Sequence, residues 1–278
     1  MIDFEAKFAV YLHEYKKKQA LSDEALDDIA PQLYLKWLDT KKPWLDGVSP
    51  VAYFKSFDAP KLIELLGGYI ISDVTLPGAL LNEIADTNEQ TYPYLITLLK
   101  NYDGEKNEDV KRTIVRIIEE MDLEHPYDYY IDVIAGADEK DDFVEACVQE
   151  LKNSGEGYIE RLVVEYEQAK NTYVSDCLLD VLCDISFDER VYQFALEKFM
   201  YTETNKAFCA SCLGKLGNAD AVSHLEEALR NEETGYYDYM AVKNALEELG
   251  GEVTIDRDFS GDSDYEALKK EALNDMEE

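Results

Sequence analysis

Cys209-Ala-Ser-Cys212 has the spacing of a dithiol redox centre or of half a zinc site, and no other pair in the chain does. A redox pair of this kind opens a helix that follows a strand, and the surrounding sequence predicts no strand. Zinc would need two further ligands. Cys177 and Cys183 precede this pair, but they are six residues apart, which turns them to different sides of a helix. Free cysteine packs well as a small hydrophobe, so the thiols are expected in the core, with no metal. Five cysteines, an odd number, fit the reduced thiols of a cytoplasmic protein and not a disulfide framework. His13, His125 and His224 are scattered, and neither His125 nor His224 has a nucleophilic Ser or Cys partner that the sequence can assign, so a triad is unsupported. Gly-rich phosphate loops, HExxH and the EF-hand pattern are missing from the sequence. The acidic run from Asp138 to Asp142 is expected to be a solvated loop. The chain is therefore expected to be a non-enzyme without a cofactor.

Tyrosine is the chemically distinctive residue, at 20 of 278. Its apolar ring and polar tip suit half-buried interfaces. Tyr129, Tyr158, Tyr166 and Tyr192 are the candidate binding residues, with Asp128, Asp132, Glu160, Glu165 and Glu167 as acidic neighbours. Two uses stand open: lining a groove, or packing between adjacent helices. The formal net charge of −33, from 60 acidic and 27 basic residues, repels nucleic acid and anionic membranes and steers a basic partner inward. The expected ligand is a basic protein or peptide. No stretch approaches the roughly 20 apolar residues of a membrane helix. The start, MIDFEAKFAV, lacks the basic and apolar regions of a secretory signal.

Helices must carry these residues. Phe208, Cys212, Leu213 and Leu216 form one apolar stripe, Gly217-Asn218 stops it, and Ala221, Val222, Leu225, Ala228 and Leu229 form another. The hairpin recurs. Setting Met121, Leu151, Leu182, Leu216 and Leu249 in register gives spacings of 30, 31, 34 and 33. Four residues earlier stand Ile117, Cys147, Leu178, Cys212 and Ala245; three earlier stand Ile118, Val148, Leu179, Leu213 and Leu246. Eight earlier stand Thr113, Phe143, Val174, Phe208 and Ala241. A weaker copy has Leu76, Leu80, Leu81 and Ile84. One helix cannot bury such a stripe, whereas stacked copies can.

The runs Leu213–Leu229 and Ala241–Gly251 resemble the short HEAT-like repeats of bacterial helical-repeat proteins, the phycobilin-lyase type, clearly over about 207–251 and degenerately back to about Leu76. The resemblance implies an α-solenoid whose second helices line the concave face. It implies function only weakly, because such folds host many activities.

The first part of the chain has its own pattern. Phe4, Phe8, Tyr11, Leu12 and Tyr15 share one face of a predicted helix, and Ser22 is placed as the N-cap of the next. Pro31 is expected to break or kink that second helix. Asp46-Gly47 marks a turn, Ser49-Pro50 a helix start, and the helix from Leu62 is expected to end near Gly67-Gly68 or at Asp73. Trp37, Leu38, Leu45, Gly47, Ser49 and Pro50 resemble the toxin-binding segment of a class of bacterial antitoxins. The match stops at Asp58-Ala59-Pro60, and no DNA-binding helix-turn-helix precedes it.

The expected fold is all-α: a solenoid of stacked HEAT-like pairs with an N-terminal helical extension and no sheet. The expected divisions are 1–74 for the N-terminal helices, 75–252 for the repeats, and 253–278 for an acidic tail. Thr254 to Ser263 reads as a loose linker and Tyr265, Leu268 and Leu273 as one terminal helix. The expected function is a protein- or peptide-binding scaffold. The alternatives are an antitoxin or immunity-type inhibitor of a basic toxin, and a bilin-lyase-like enzyme or enzyme subunit.

Overall fold

A computed structural model of the chain describes residues 1–202, 204–253 and 257–275, with side chains as far as Glu271. The described residues form α-helices and short 3-10 turns, and no strand occurs among them. The chain divides into two compact units, Met1–Pro126 and Tyr127–Glu278. The division falls inside the interval 75–252 that the periodicity assigns to repeats.

The first unit holds α1 (Phe4–Gln19), α2 (Asp23–Asp39), α3 (Pro50–Lys55), α4 (Ala59–Ile71), α5 (Gly78–Asp86), α6 (Asn88–Asn101) and α7 (Asn107–Glu120). Asp3, Ser22, Ser49 and Asp58 cap the first four, each accepting from a backbone N–H of the first turn. α2 runs through Pro31 without the expected break. Pro31 is exposed while Leu33, Trp37 and Leu38 are buried, so packing holds the helix and water reaches the carbonyl freed by the proline. α4 runs past Gly67-Gly68, where Leu66, Gly67 and Tyr69 are buried, and ends at Ile71, at the later of the two expected ends. Asp73 then takes a left-handed backbone. α4 packs against α5, α6 and α7. Phe4, Phe8, Trp37 and Phe54 form an aromatic core between α1, α2 and α3.

The second unit holds α8 (Tyr127–Gly136), α9 (Asp142–Leu151), α10 (Ile159–Glu167), α11 (Thr172–Ile185), α12 (Glu189–Tyr201), α13 (Lys206–Leu216), α14 (Val222–Arg230), α15 (Tyr236–Glu248) and α16 (Ser263–Asp275). Each of α8, α10, α12 and α14 packs on the helix that follows it. α9, α11, α13 and α15 pack in succession, and α16 lies on α15. Asp141, Asn171 and Asp188 cap α9, α11 and α12. Gly217 ends α13 at φ +68°, a conformation that a side chain would strain. All ten residues at the positions three and four before the anchors are no more than 2% exposed. Each such Leu, Ile or Val stabilises by roughly 1.5–3 kcal/mol relative to exposure. Thr113, Phe208 and Ala241, in the column eight before, are only half-buried.

The expected loose linker is ordered where it is described. Phe259 is 8% exposed, packed against Tyr236 and Tyr239 with ring centroids 5.2 and 4.9 Å away. Arg257 donates to the carbonyls of Asn231 and Glu232, and Asp262 accepts from the backbone N–H of Tyr236. These contacts clamp the segment over α15. Residues 254–256 of the expected linker and the side chain of Leu273 lie outside the described residues.

Candidate functional site

The cysteines are packing residues. All five are free and buried. Cys183 of α11 and Cys212 of α13 are hydrogen-bonded neighbours, and that bond together with burial pushes the Cys212 thiol up. Burial pushes Cys209 up to about 12 and Cys177 up to about 11, so neither is a thiolate at neutral pH. The Cys183–Cys212 contact was not visible in the sequence, because Cys183 pairs across helices and not with its own-helix neighbour Cys177. Among the described residues no group of three or more His, Cys, Asp or Glu is placed to hold a metal. No helix of the described residues is long and apolar enough to cross a membrane.

The antitoxin-like residues sit inside the first unit. Trp37, Leu38 and Leu45 are 3, 3 and 4% exposed, and Pro50 is buried. Asp46 and Gly47 make the left-handed turn that returns the chain to α3, and Ser49 caps it. Lys42 is buried too, its ammonium 4.3 Å from the Trp37 ring centroid, and desolvation pulls its pKa down.

The four candidate tyrosines separate. Tyr192 is 3% exposed and sits in the buried stripe Val191, Tyr192, Ala195, Phe199 of α12, so its ring has no face for a ligand. Tyr129 is half-buried against Tyr130 and Phe143, and burial pushes its phenol up to about 12. Tyr158 is half-buried edge-on to Tyr127 at 5.4 Å. Tyr166 stacks on Phe194 of α12, with centroids 4.5 Å apart and planes 26° apart. Of the four, only Tyr166 lines this groove: a volume of about 370 Å³ walled by Tyr166, Phe194, Glu197, Lys198, Tyr201 and Thr202. Burial above all, with the nearby acidic groups Asp176 and Glu197 adding to it, raises the Tyr166 phenol to about 12, so it stays neutral.

Phe194 and Tyr201 are the residues that the sequence reading passed over. Tyr201, the last residue of α12, is 80% exposed. Its position outside the α12 stripe is the signal that marks it as surface.

The charges around these rings are organised. Arg161 of α10 donates to Asp128 and to Asp132 of α8, the latter at 2.5 Å. Arg190 of α12 donates to Glu160 of α10 at 2.6 and 3.0 Å, and Lys170 to Asp138 at 2.5 Å. Lys215 of α13 holds Asp180 and Asp184 of α11 at 3.0 and 2.9 Å, and Lys152 reaches the same two carboxylates at 2.7 and 3.2 Å. These partners lie 28 to 35 residues apart in sequence, about one repeat. Five of the 13 Lys and Arg of the second unit thus bridge successive helix pairs, whereas Arg230 and Lys243 pair within their own helices. That unit has 37 Asp and Glu against 13 Lys and Arg, so a large carboxylate surplus faces solvent after the bridges are made.

No protein-family model, curated protein or solved structure matches the chain.

Proposed function

We propose that the chain is a helical-repeat binding scaffold, an α-solenoid over its repeats, that holds a basic protein or peptide. The solenoid reading draws support from the successive packing of α9, α11, α13 and α15, and from ion pairs about one repeat apart. The single observation that carries the binding reading is the charge arrangement of the second unit. Five of its 13 cations are committed to bridges between helix pairs, and its 37 acidic residues leave a large carboxylate surplus to meet a partner. Opposite charge accelerates encounter, and the gain shrinks as salt screens it. Half-buried rings, Tyr166 foremost, supply area that resists release.

An antitoxin-type role is the special case in which the basic partner is a toxin. The acidic surface would have to make that contact, since Trp37, Leu38, Leu45 and Pro50 are in the core. The cytoplasm, where thiols stay reduced, is the compartment this reading implies.

The test is a panel of twelve-residue peptides with net charges of plus four, zero and minus four, followed by fluorescence anisotropy at low and physiological salt. The basic peptides should bind best and lose affinity with salt. Equal or tighter binding of the acidic or neutral peptides would overturn the proposal.

A further inference from the structure

We propose that the groove between α10 and α12 is the seat for an arginine side chain of the partner, its guanidinium held between the Glu197 carboxylate and the rings of Tyr166 and Tyr201. This rests on the basic-partner reading and adds the place and the chemistry of recognition.

Three features of the groove converge on a guanidinium. First, its walls are aromatic. Tyr166 and Phe194 are fixed against one another at 4.5 Å, and Tyr201 stands 80% exposed with no ring against it among the described residues. A planar cation stacked on such a ring gains from the ring quadrupole. Second, the only cation in the lining is already neutralised. The Lys198 ammonium pairs with Asp176, donates to Ser175 Oγ at 2.8 Å, and leaves 15% of its side chain exposed. Third, Glu197 is exposed and has no hydrogen bond or ion pair among the described residues. An apolar side chain in this groove would leave Glu197 unmatched, whereas a cation satisfies it. Arginine fits better than lysine, because its flat fork can stack on a ring and meet a carboxylate with two parallel N–H donors.

The experiment uses the full chain and a fluorescent twelve-residue peptide with three arginines spaced by glycine and serine. Its counterpart carries citrulline, a neutral isostere, at the same three positions. The chain variants are Tyr201→Ala, Glu197→Gln and, as a charge-matched control in an exposed loop, Glu139→Gln. Tyr201, Glu197 and Glu139 are all exposed, so the variants should melt like the parent. Tyr201→Ala and Glu197→Gln should each raise Kd about fivefold, the effect of about 1 kcal/mol from a lost cation–π or charge contact. Glu139→Gln should change it less than about twofold. If Tyr201→Ala leaves Kd unchanged and Glu197→Gln behaves like Glu139→Gln, the seat is elsewhere and the basic-partner reading survives. If the arginine peptide fails to bind the parent chain, or the citrulline peptide binds as tightly, the reading and the seat fall together.

Discussion

Replacing Gly214 by alanine tests the seam between α13 and α15, and the sign of the outcome is decided by two opposed magnitudes. A glycine inside a helix is about 1 kcal/mol worse than alanine, so the exchange is ordinarily stabilising. At Gly214 an added Cβ would lie 3.3 Å from both Cα and Cβ of Ala245 and would run into the carboxylate of Glu248. Glu248 is exposed and can swing away at little cost. The Ala245 backbone cannot, because Cys212, Leu213, Ala245 and Leu246 around it are at most 1% exposed. Moving a close-packed helix by a few tenths of an ångström costs about 1–3 kcal/mol. The net expectation for Gly214→Ala is a loss of about 1 kcal/mol, or about 2–4 °C in Tm for a unit of this size. Gly136, the last residue of α8, is the control. It is exposed and a Cβ there meets nothing within 4 Å. Gly136→Ala should therefore raise stability by about 0.5 kcal/mol. Urea and thermal unfolding followed by circular dichroism measure both. If Gly214→Ala gains as much as Gly136→Ala, the two helices are not in contact at Ala245, and the inferred stacking register is wrong.

Acid should dissolve the staple at Asp180. Burial opposes its charge, but hydrogen bonds and charge from Lys152 and Lys215 outweigh that and leave its pKa below the ordinary value. A depressed carboxyl pKa stabilises the fold above the ordinary value and loses that contribution as pH falls through the lowered one. At pH 7 Asp180→Asn should cost about 1–2 kcal/mol, between an exposed and a buried pair, and the gap from the parent should begin to narrow below about pH 4 and shrink further as pH falls through the lowered pKa. A gap as wide at about pH 2 as at pH 7 in urea titrations would remove the ion pair as its cause. Phe259→Ala should cost about 2–3 kcal/mol and speed proteolysis of the C-terminal segment, because the ring is the plug of that clamp. An unchanged cleavage rate would mean that Arg257 and Asp262 suffice.

The sequence was informative where burial is a matter of helix phase. The columns three and four residues before each anchor are apolar in all five copies, and all ten residues are buried, because both positions point into the same seam whatever the neighbours. Tyr192 was legible by the same rule, since it falls in step with Val191, Ala195 and Phe199, although its residue type argued for an interface. Pro31 misled as a helix break because local propensity is worth a few kcal/mol at most, and the packing of Trp37 and Leu38 exceeds it; of the two ends expected for α4, the later one by Asp73 is the one found.

The groove was not legible. Tyr166 meets Phe194 across 28 residues, and neither helix alone announces the other. The ion pairs show what would have announced it. Arg161, Arg190 and Lys215 each follow an acidic partner by about one repeat, at 29, 30 and 31 residues. Once a period is known, a cation one period after an acid is a contact prediction of the same kind as an apolar column. Applied to rings, the full spread of those ion pairs, 28 to 35 residues, places Tyr166 beside residues 194 to 201, which include Phe194, Glu197 and Tyr201. The stacked ring and the uncommitted carboxylate of the groove both fall in that window. A repeat therefore carries its inter-helix chemistry in the sequence, readable only after the apolar columns have set the register.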